Sequence, residues 1–355
     1  MFYSDKKSIE LTLGKNNYCV HIEKKDCHRQ LIRDYIAEDN LDDVVIITDE
    51  NVASYYSDLL EGFKTIVIPS GEHSKCISMY ALILERLSNL GITRKGLIIA
   101  FGGGVVGDLA GFAAATYMRG IRLIQVPTTL LAMVDSSVGG KVGINLSSGK
   151  NQVGSFYQPD AVYINQTFLK TLPKREWSNG MAEIIKVAVG FDERLLNALE
   201  VNFEVNLEAI IVRCIEIKAE VVMRDEKDEG IRNLLNFGHT IGHAIEKYYD
   251  YERYLHGEAV AIGIAAKSKI AYNEGLINEF ELNRILDLLK KYDLPTELHE
   301  DLMLLLEGIR HDKKAESDKL NWIGLKSIGS VEIRTDSFDE AIMRFAGGLR
   351  VKKVI

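Results

Sequence analysis

Short, nearly continuous apolar runs alternate with amphipathic stretches in the first half of the chain. Val44-Val45-Ile46-Ile47-Thr48, Thr65-Ile66-Val67-Ile68, Leu97-Ile98-Ile99-Ala100, Leu123-Ile124-Gln125-Val126 and Ala161-Val162-Tyr163-Ile164 show no strict alternation. Such runs suit parallel strands covered on both faces. Several end in turn chemistry: Thr48-Asp49-Glu50-Asn51, Pro69-Ser70-Gly71-Glu72, Gly102-Gly103-Gly104 and Pro127-Thr128-Thr129. Open α/β sheets bind ligands at the carboxyl ends of their strands, so a site is expected at these turns. The second half has a helical period. Glu193–Glu204, Leu207–Met223 and Glu279–Tyr292 read as amphipathic helices, and Pro295 is the only proline after Pro173. The pattern predicts an α/β domain over 1–171 and a helical domain over 172–355, joined near Thr171-Leu172-Pro173. The mixed-charge run Arg224–Glu229 reads as a solvated loop.

The 355 residues suffice for one large domain or two ordinary ones. The formal charge of −8 disfavours nonspecific nucleic-acid binding, so a bound anion needs locally concentrated cations. Cys19, Cys27, Cys76 and Cys214 form no Cys-x-x-Cys pair and are too few for a disulfide framework. Free thiols in a reducing cytoplasm are expected. The first residues lack the apolar core of a signal peptide, and no uncharged apolar run approaches the ~18 residues that span a bilayer.

Glycine is uneven: 13 of 29 lie between Gly91 and Gly154. Phe101-Gly102-Gly103-Gly104-Val105-Val106-Gly107-Asp108 follows a predicted strand and opens a helix, which suits a diphosphate; a tight packing turn is the alternative. Asp135–Asn145 and Gly149-Lys150-Asn151 place Asp, two Lys and two Asn in a Gly-rich stretch suited to a polar ligand, or to a surface loop. Arg119, in Tyr117-Met118-Arg119-Gly120, adds a guanidinium fit for phosphate or carboxylate. His239 and His243 stand at i and i+4 on a predicted helix, His256 follows 13 residues later, and Glu183 and Lys186 share a face upstream. Three imidazoles and a carboxylate could hold a catalytic metal, and spacing alone would choose the His239–His243 pair. Hydrogen-bonded, partly buried histidines are the alternative. Thr240 stands where a His-Glu-x-x-His metalloprotease needs glutamate.

Taken in order, these stretches resemble the 3-dehydroquinate synthase family. The match runs through Gly71-Glu72-x-x-Lys75, Gly102–Asp108, Tyr117–Gly120, Gln125–Ala132, Val134–Lys141, Gly149–Asn151, Gly180-x-Ala182-Glu183-x-x-Lys186, Arg232–His239, Gly242–Glu246 and His256–Gly263. It spans about residues 42 to 330. The resemblance implies a Rossmann-like NAD-binding domain followed by an all-α metal-binding domain that also binds substrate. It implies metal ligation, by Zn2+ or Co2+, through Glu183, His239 and His256, with His243 moved from ligand to substrate site and proton relay. Asp49, Asn51, Glu72, Lys75, Gly104, Asp108, Thr128, Thr129, Lys150, Phe168 and Thr171 would serve NAD. Arg119, Asp135, Lys141, Asn151, Lys186, Lys218, Arg232, Asn236, His243 and Lys313 or Lys314 would serve substrate. Two departures fall near the double lysine: His311 replaces a frequent methionine, and Ala315-Glu316-Ser317-Asp318-Lys319 lacks a following glycine.

The family substrate is 3-deoxy-D-arabino-heptulosonate 7-phosphate, a small sugar phosphate. The implied cycle is oxidation at carbon 5 by NAD, β-elimination of phosphate, return of the hydride, ring opening and intramolecular aldol closure to 3-dehydroquinate. The enzyme would be a cytoplasmic homodimer in the second step of the shikimate pathway, with no nucleic-acid or membrane partner. Rival readings are a cyclase of sedoheptulose 7-phosphate or glucose 6-phosphate, a polyol dehydrogenase releasing NADH, and a noncatalytic binding protein. Lys218, Arg232, Asn236 and His243 favour a carboxylate-bearing substrate, and the cations Lys141, Lys150 and Arg232 disfavour a neutral polyol.

Overall fold

The computed structural model describes residues 8–14, 16–23, 43–201, 206–298 and 319–349. They divide into two compact units. One holds the described residues up to Trp177 together with Lys218–Lys227; the other holds Ser178–Ile217 and the described residues from Asp228 onward. Residues 172–177 and 218–227 thus group with the α/β unit, whereas the chain pattern put the joint at 171/172.

In the α/β unit, β1 (Ser8–Leu11), β2 (Tyr18–Glu23), β3 (Val44–Asp49), β4 (Lys64–Ile68), β5 (Leu97–Gly102), β6 (Arg122–Pro127) and β9 (Ala161–Asn165) form one sheet. The order is β1-β2-β9-β6-β5-β3-β4, parallel throughout except for the β1–β2 edge pair. The five apolar runs of the sequence are β3, β4, β5, β6 and β9. Every residue of β5 and β9 is buried, which explains why they lack alternation. Ile83 and Leu87 of one helix (Ile77–Asn89) and Leu109, Ala110 and Ala113 of another (Gly104–Thr116) pack on Ile47, Ile66, Ile98 and Ala100. From β3 the chain moves to β4 on one side and then to β5 on the other. The switch point therefore falls between β3 and β5, whose carboxyl ends carry Asp49 and Gly102-Gly103-Gly104.

The Gly-rich stretch after Asp135 is more ordered than a loop. Lys141–Leu146 (β7) and Gly149–Phe156 (β8) form an antiparallel hairpin, and Val142 and Ile144 join the core. Gly154 is required there: a Cβ would sit 2.3 Å from the Val142 carbonyl oxygen.

The second unit is mostly helical. For reference α1 is Lys174–Phe191, whose first turn belongs to the α/β unit; α2 is Glu193–Val201; α3 is Leu207–Arg224, whose residues from Lys218 on group with the α/β unit; α4 is His239–Tyr248, α5 His256–Asn273, α6 Glu279–Lys291 and α7 Phe338–Leu349. The unit also contains a hairpin, β10 (Lys319–Ser327) and β11 (Ser330–Ser337), where an all-α domain is expected. Its turn uses Gly329 at φ 82°, and its Leu320 and Trp322 enter the same core as Phe338, Ala341 and Phe345. Helix α5 is buried on nearly all sides, so its sequence carries little amphipathic signal. Its Lys267 is buried, with Nζ 3.6 Å from the ring centroids of both Trp322 and Phe345. No helix among the described residues is long and apolar enough to cross a membrane. Cys19, Cys76 and Cys214 are free thiols; Cys27 lies outside the described residues.

Candidate active site

In the helical unit, close backbone approaches bring three donor groups together. A Cβ on Gly263 would lie 2.0 Å from the Gly238 carbonyl oxygen, and one on Gly242 3.1 Å from the Val260 backbone. These contacts seat α4 against α5. A Cβ on Gly257 would lie 2.1 Å from the Asn179 carbonyl oxygen, so the start of α5 also abuts α1. The Gly257 N–H donates to Asn179 Oδ1 at 2.6 Å, and the Leu255 N–H donates to Glu258 Oε2 at 2.8 Å, which closes the first turn of α5.

The result is a cluster of Glu183 from α1, His239 from α4 and His256 from α5, with one potential ligand atom from each and all three within 4.8 Å of one another. Glu183 Oε1 lies 3.3 Å from His256 Nε2 and 3.7 Å from His239 Nε2. The carboxylate is 1% exposed, and neither oxygen has a hydrogen bond of normal geometry among the described residues. The Lys186 ammonium forms an ion pair with Oε2. Both imidazoles engage their other nitrogen elsewhere: His239 Nδ1 faces the Phe237 carbonyl at 3.2 Å, and His256 Nδ1 faces Glu246 Oε2 at 3.3 Å. With Nδ1–H donated, a neutral imidazole turns its Nε2 lone pair to Glu183: His239 does so as it stands, and His256 does so once its second proton is lost. Two nitrogens and a buried carboxylate oxygen with no hydrogen bond match the donor set of a catalytic zinc or cobalt site.

The electrostatics agree. Burial alone would lift the Glu183 carboxyl, but the Lys186 ammonium and the two imidazoles outweigh it and hold the group well below the usual carboxylate range. Burial pushes His239 down to about 3 and keeps it neutral. Burial opposes charge on His256 as well, yet the Glu183 and Glu246 carboxylates beside its two nitrogens carry it up to about 10 in the metal-free protein. His243 is exposed, its ring centroid 5.2 Å from that of His239 and 6.1 Å from that of His256. Its Nε2 or Nδ1 belongs to a second group with Glu246 and His256 and not to the Glu183 cluster. Arg232 is 3% exposed in the turn Ile231–Asn236, which also carries Asn236 and runs directly into His239.

The α/β unit gathers a different set. Lys75 Nζ donates to Asp108 Oδ2 and to Asn151 Oδ1. Burial lifts the Asp108 carboxyl, and the Lys75 charge only partly offsets this. Lys150 Nζ lies 3.8 Å from Glu72 Oε1. Lys218 Nζ donates to both the carbonyl and Oδ1 of Asp135 at 2.6 Å. Asp49 caps its helix (Glu50–Tyr55) by accepting the Asn51 and Val52 N–H groups at Oδ1. Gly104 opens the helix that follows β5, and a Cβ on Gly103 would meet Thr129 Cγ2 at 2.9 Å. Thr128 is buried, and its N–H donates to the Gly102 carbonyl. Phe168 and Thr171 are tied through Tyr56, whose hydroxyl donates to Phe168 O at 3.2 Å and lies 2.8 Å from Thr171 Oγ1. Arg119 is exposed at φ 67°, beside Met118 at φ 51°. Two consecutive non-glycine residues at positive φ are costly and hold only where neighbours fix them. Here the Tyr117 hydroxyl donates to Ile92 O at 2.9 Å and the Tyr157 hydroxyl to Ile121 O at 2.7 Å. Lys141 is exposed at the start of β7. Lys313 and Lys314 lie outside the described residues.

Two family models cover most of the chain, 3-dehydroquinate synthase N-terminal over residues 65–179 and 3-dehydroquinate synthase C-terminal over 180–315. The chain belongs to the 3-dehydroquinate synthase family. A 3-dehydroquinate synthase from Thermoanaerobacter pseudethanolicus is 48% identical over 314 residues, covering 84% of this chain and 88% of the relative. Among solved structures, 2-deoxy-scyllo-inosose synthase complexed with carbaglucose-6-phosphate, NAD+ and Co2+ superposes with a TM-score of 0.83 at 29% identity, covering 96% of this chain and all of the other. The 2-epi-5-epi-valiolone synthase of Streptomyces hygroscopicus subsp. jinggangensis, with NAD+ and Zn2+ bound, gives 0.84 at 27% identity, covering 94% and 98%.

Within this 3-dehydroquinate synthase architecture, several contributors carry no role in the sequence reading. Glu246 orients His256; its signal was its place seven residues after His239, two turns along the same face. Asn179 is four residues before Glu183 on α1 and shares its face. Tyr56 acts through contacts distant in sequence, which spacing does not reveal; Asn145, counted in the Gly-rich stretch, reaches Glu72 and Lys75 in the same way.

Proposed function

We propose that this enzyme converts 3-deoxy-D-arabino-heptulosonate 7-phosphate into 3-dehydroquinate and phosphate, with NAD and a divalent metal, zinc or cobalt, as cofactors. The observation that carries the reading is Glu183, a buried carboxylate with two imidazole Nε2 atoms turned to it in a chain of this family. When bound, NAD supplies reversible hydride exchange and the metal supplies Lewis acidity that acidifies substrate hydroxyls.

Glu183, His239 and His256 hold the metal, and Glu246 and the Phe237 carbonyl fix the tautomers that do so. The nucleotide is served by the β3–β5 switch point and its neighbours: Asp49, Asn51, Glu72, Lys75, Gly104, Asp108, Thr128, Thr129, Lys150, Phe168 and Thr171. Arg232, Lys141, Asn151 and Arg119 bind the anionic ends of the substrate, which reconciles an acidic protein with a doubly anionic ligand. Lys218 and Asp135 hold each other as an ion pair facing substrate hydroxyls. Lys186 and His243 lie next to the metal ligands, and His243 is the exposed imidazole able to pass protons. Gathering both reacting ends of an opened substrate in one site makes the closing aldol step effectively unimolecular. The NAD-binding role falls to the α/β unit, and the metal-binding role to the helical unit of Ser178–Ile217 and the residues from Asp228 onward. Under this reading the enzyme is a phosphate-eliminating carbon–oxygen lyase of the cytoplasm, acting as a homodimer.

The deciding assay is incubation with the heptulosonate phosphate, zinc and catalytic NAD. Phosphate release with formation of dehydroquinate supports the reading; no phosphate release removes it.

A further inference from the structure

Asn145 sits at an irregularity in the β7–β8 hairpin, where the register shifts between Ile144 and Leu146. A bulge re-aims its residue away from the ladder. Asn145 instead bridges to the segment before the Ile77–Asn89 helix: its N–H donates to the Lys75 carbonyl at 2.8 Å. Its side chain makes two further bonds. Oδ1 accepts the Asn151 backbone N–H at 2.9 Å, and Nδ2 donates to Glu72 Oε1 at 2.7 Å. The amide orientation is fixed by its partners, since a backbone N–H only donates and a carboxylate only accepts. Asn151 needs this hold, because it stands at φ 57°, and its own Oδ1 receives the Lys75 ammonium.

We propose that Asn145 is a positioning residue that locks the NAD-contacting Glu72 and Lys75 to the substrate-contacting Asn151. In this role it acts through Glu72, Lys75 and Asn151. One side chain and one N–H set the relative placement of two cofactor groups and one substrate group, so the hydride donor and acceptor ends are registered through it. The inference rests on the roles proposed above for Glu72, Lys75 and Asn151.

Three variants test it: Asn145→Ala, the isosteric Asn145→Asp, and Asn145→Asp combined with Glu72→Gln, with Glu72→Gln alone as control. The NAD dissociation constant is measured by titration without turnover, and kcat/KM is measured by phosphate release at saturating NAD. Asn145→Ala should weaken NAD and lower kcat/KM by about tenfold each, the scale of one hydrogen bond to a charged group. Asn145→Asp keeps the acceptor for the Asn151 N–H but sets a carboxylate against Glu72. It should therefore weaken NAD as much as the alanine variant while losing less kcat/KM. Adding Glu72→Gln supplies an amide that donates to the introduced carboxylate and should return NAD affinity to that of Glu72→Gln alone. A merely structural residue would lower thermal stability without this split or rescue. NAD affinity and kcat/KM both within twofold of wild type in Asn145→Ala, or no rescue in the double variant, would overturn the proposal. If Asn145→Ala fails to fold, the isosteric pair carries the test. Wild type that binds NAD but releases no phosphate would sink the proposed activity alone, and the NAD affinities would still decide the role of Asn145.

Discussion

Asn179 and Gly257 are joined by a 2.6 Å hydrogen bond that starts one helix on the flank of another, one turn before Glu183. The contact decides where His256 stands. Gly257→Ala would drive a Cβ into the Asn179 carbonyl and displace the helix start. We expect its zinc affinity to fall well below wild type and its melting temperature to drop. Asn179→Ala leaves a buried N–H unpaired, a loss of about 1–3 kcal/mol. Calorimetry and metal titration of the two variants check both expectations; unchanged zinc affinity in Gly257→Ala would show that the close approach does not set the ligand geometry.

Glu183→Ala should abolish tight metal binding, because the remaining two imidazoles are too few for a catalytic site. Chelation of wild type should stop phosphate release, and added zinc or cobalt should restore it. Glu246→Ala should be milder, about 10- to 100-fold in metal affinity, as for other groups that orient a ligand. Wild-type affinity in Glu183→Ala, measured by metal analysis after dialysis, would reassign the site.

NAD is expected to be regenerated within each turnover. Absorbance at the NADH wavelength should show no sustained rise while phosphate accumulates. Stoichiometric NADH growth would identify a dehydrogenase instead.

Arg232 is buried, so solvent poorly replaces any paired bonds that its guanidinium makes to an anion. Arg232→Ala should lower kcat/KM by about tenfold to a few hundredfold, as bonds to charged groups are worth roughly 1.5–3 kcal/mol each. NAD affinity should hardly change. Wild type should strongly prefer the heptulosonate phosphate over sedoheptulose 7-phosphate, which lacks the carboxylate. Equal turnover of the two would point to a related cyclase.

The five parallel strands were legible because buried strands need unbroken apolar runs, and the amphipathic helices Glu193–Val201, Leu207–Arg224 and Glu279–Lys291 because each has a wet face. The β7–β8 hairpin was not, since glycines that permit close pairing also weaken strand propensity. The β10–β11 hairpin was hidden by its position after helices and by alternation only in part, with four consecutive buried residues, Trp322–Leu325. Spacing alone joined His239 to His243; the fold turns His239 toward Glu183 and His256, from other helices. A one-dimensional period reports which residues share a face, but not which faces meet.

The burial of Trp322 against Lys267 and Phe345 has a practical corollary. The chain has two tryptophans, Trp177 in the α/β unit and Trp322 in the helical one. Each compact unit thus carries its own fluorophore. Single-tryptophan variants would let the melting of each unit be watched separately, and coincident or staggered transitions would tell whether the enzyme unfolds as one cooperative body or as two.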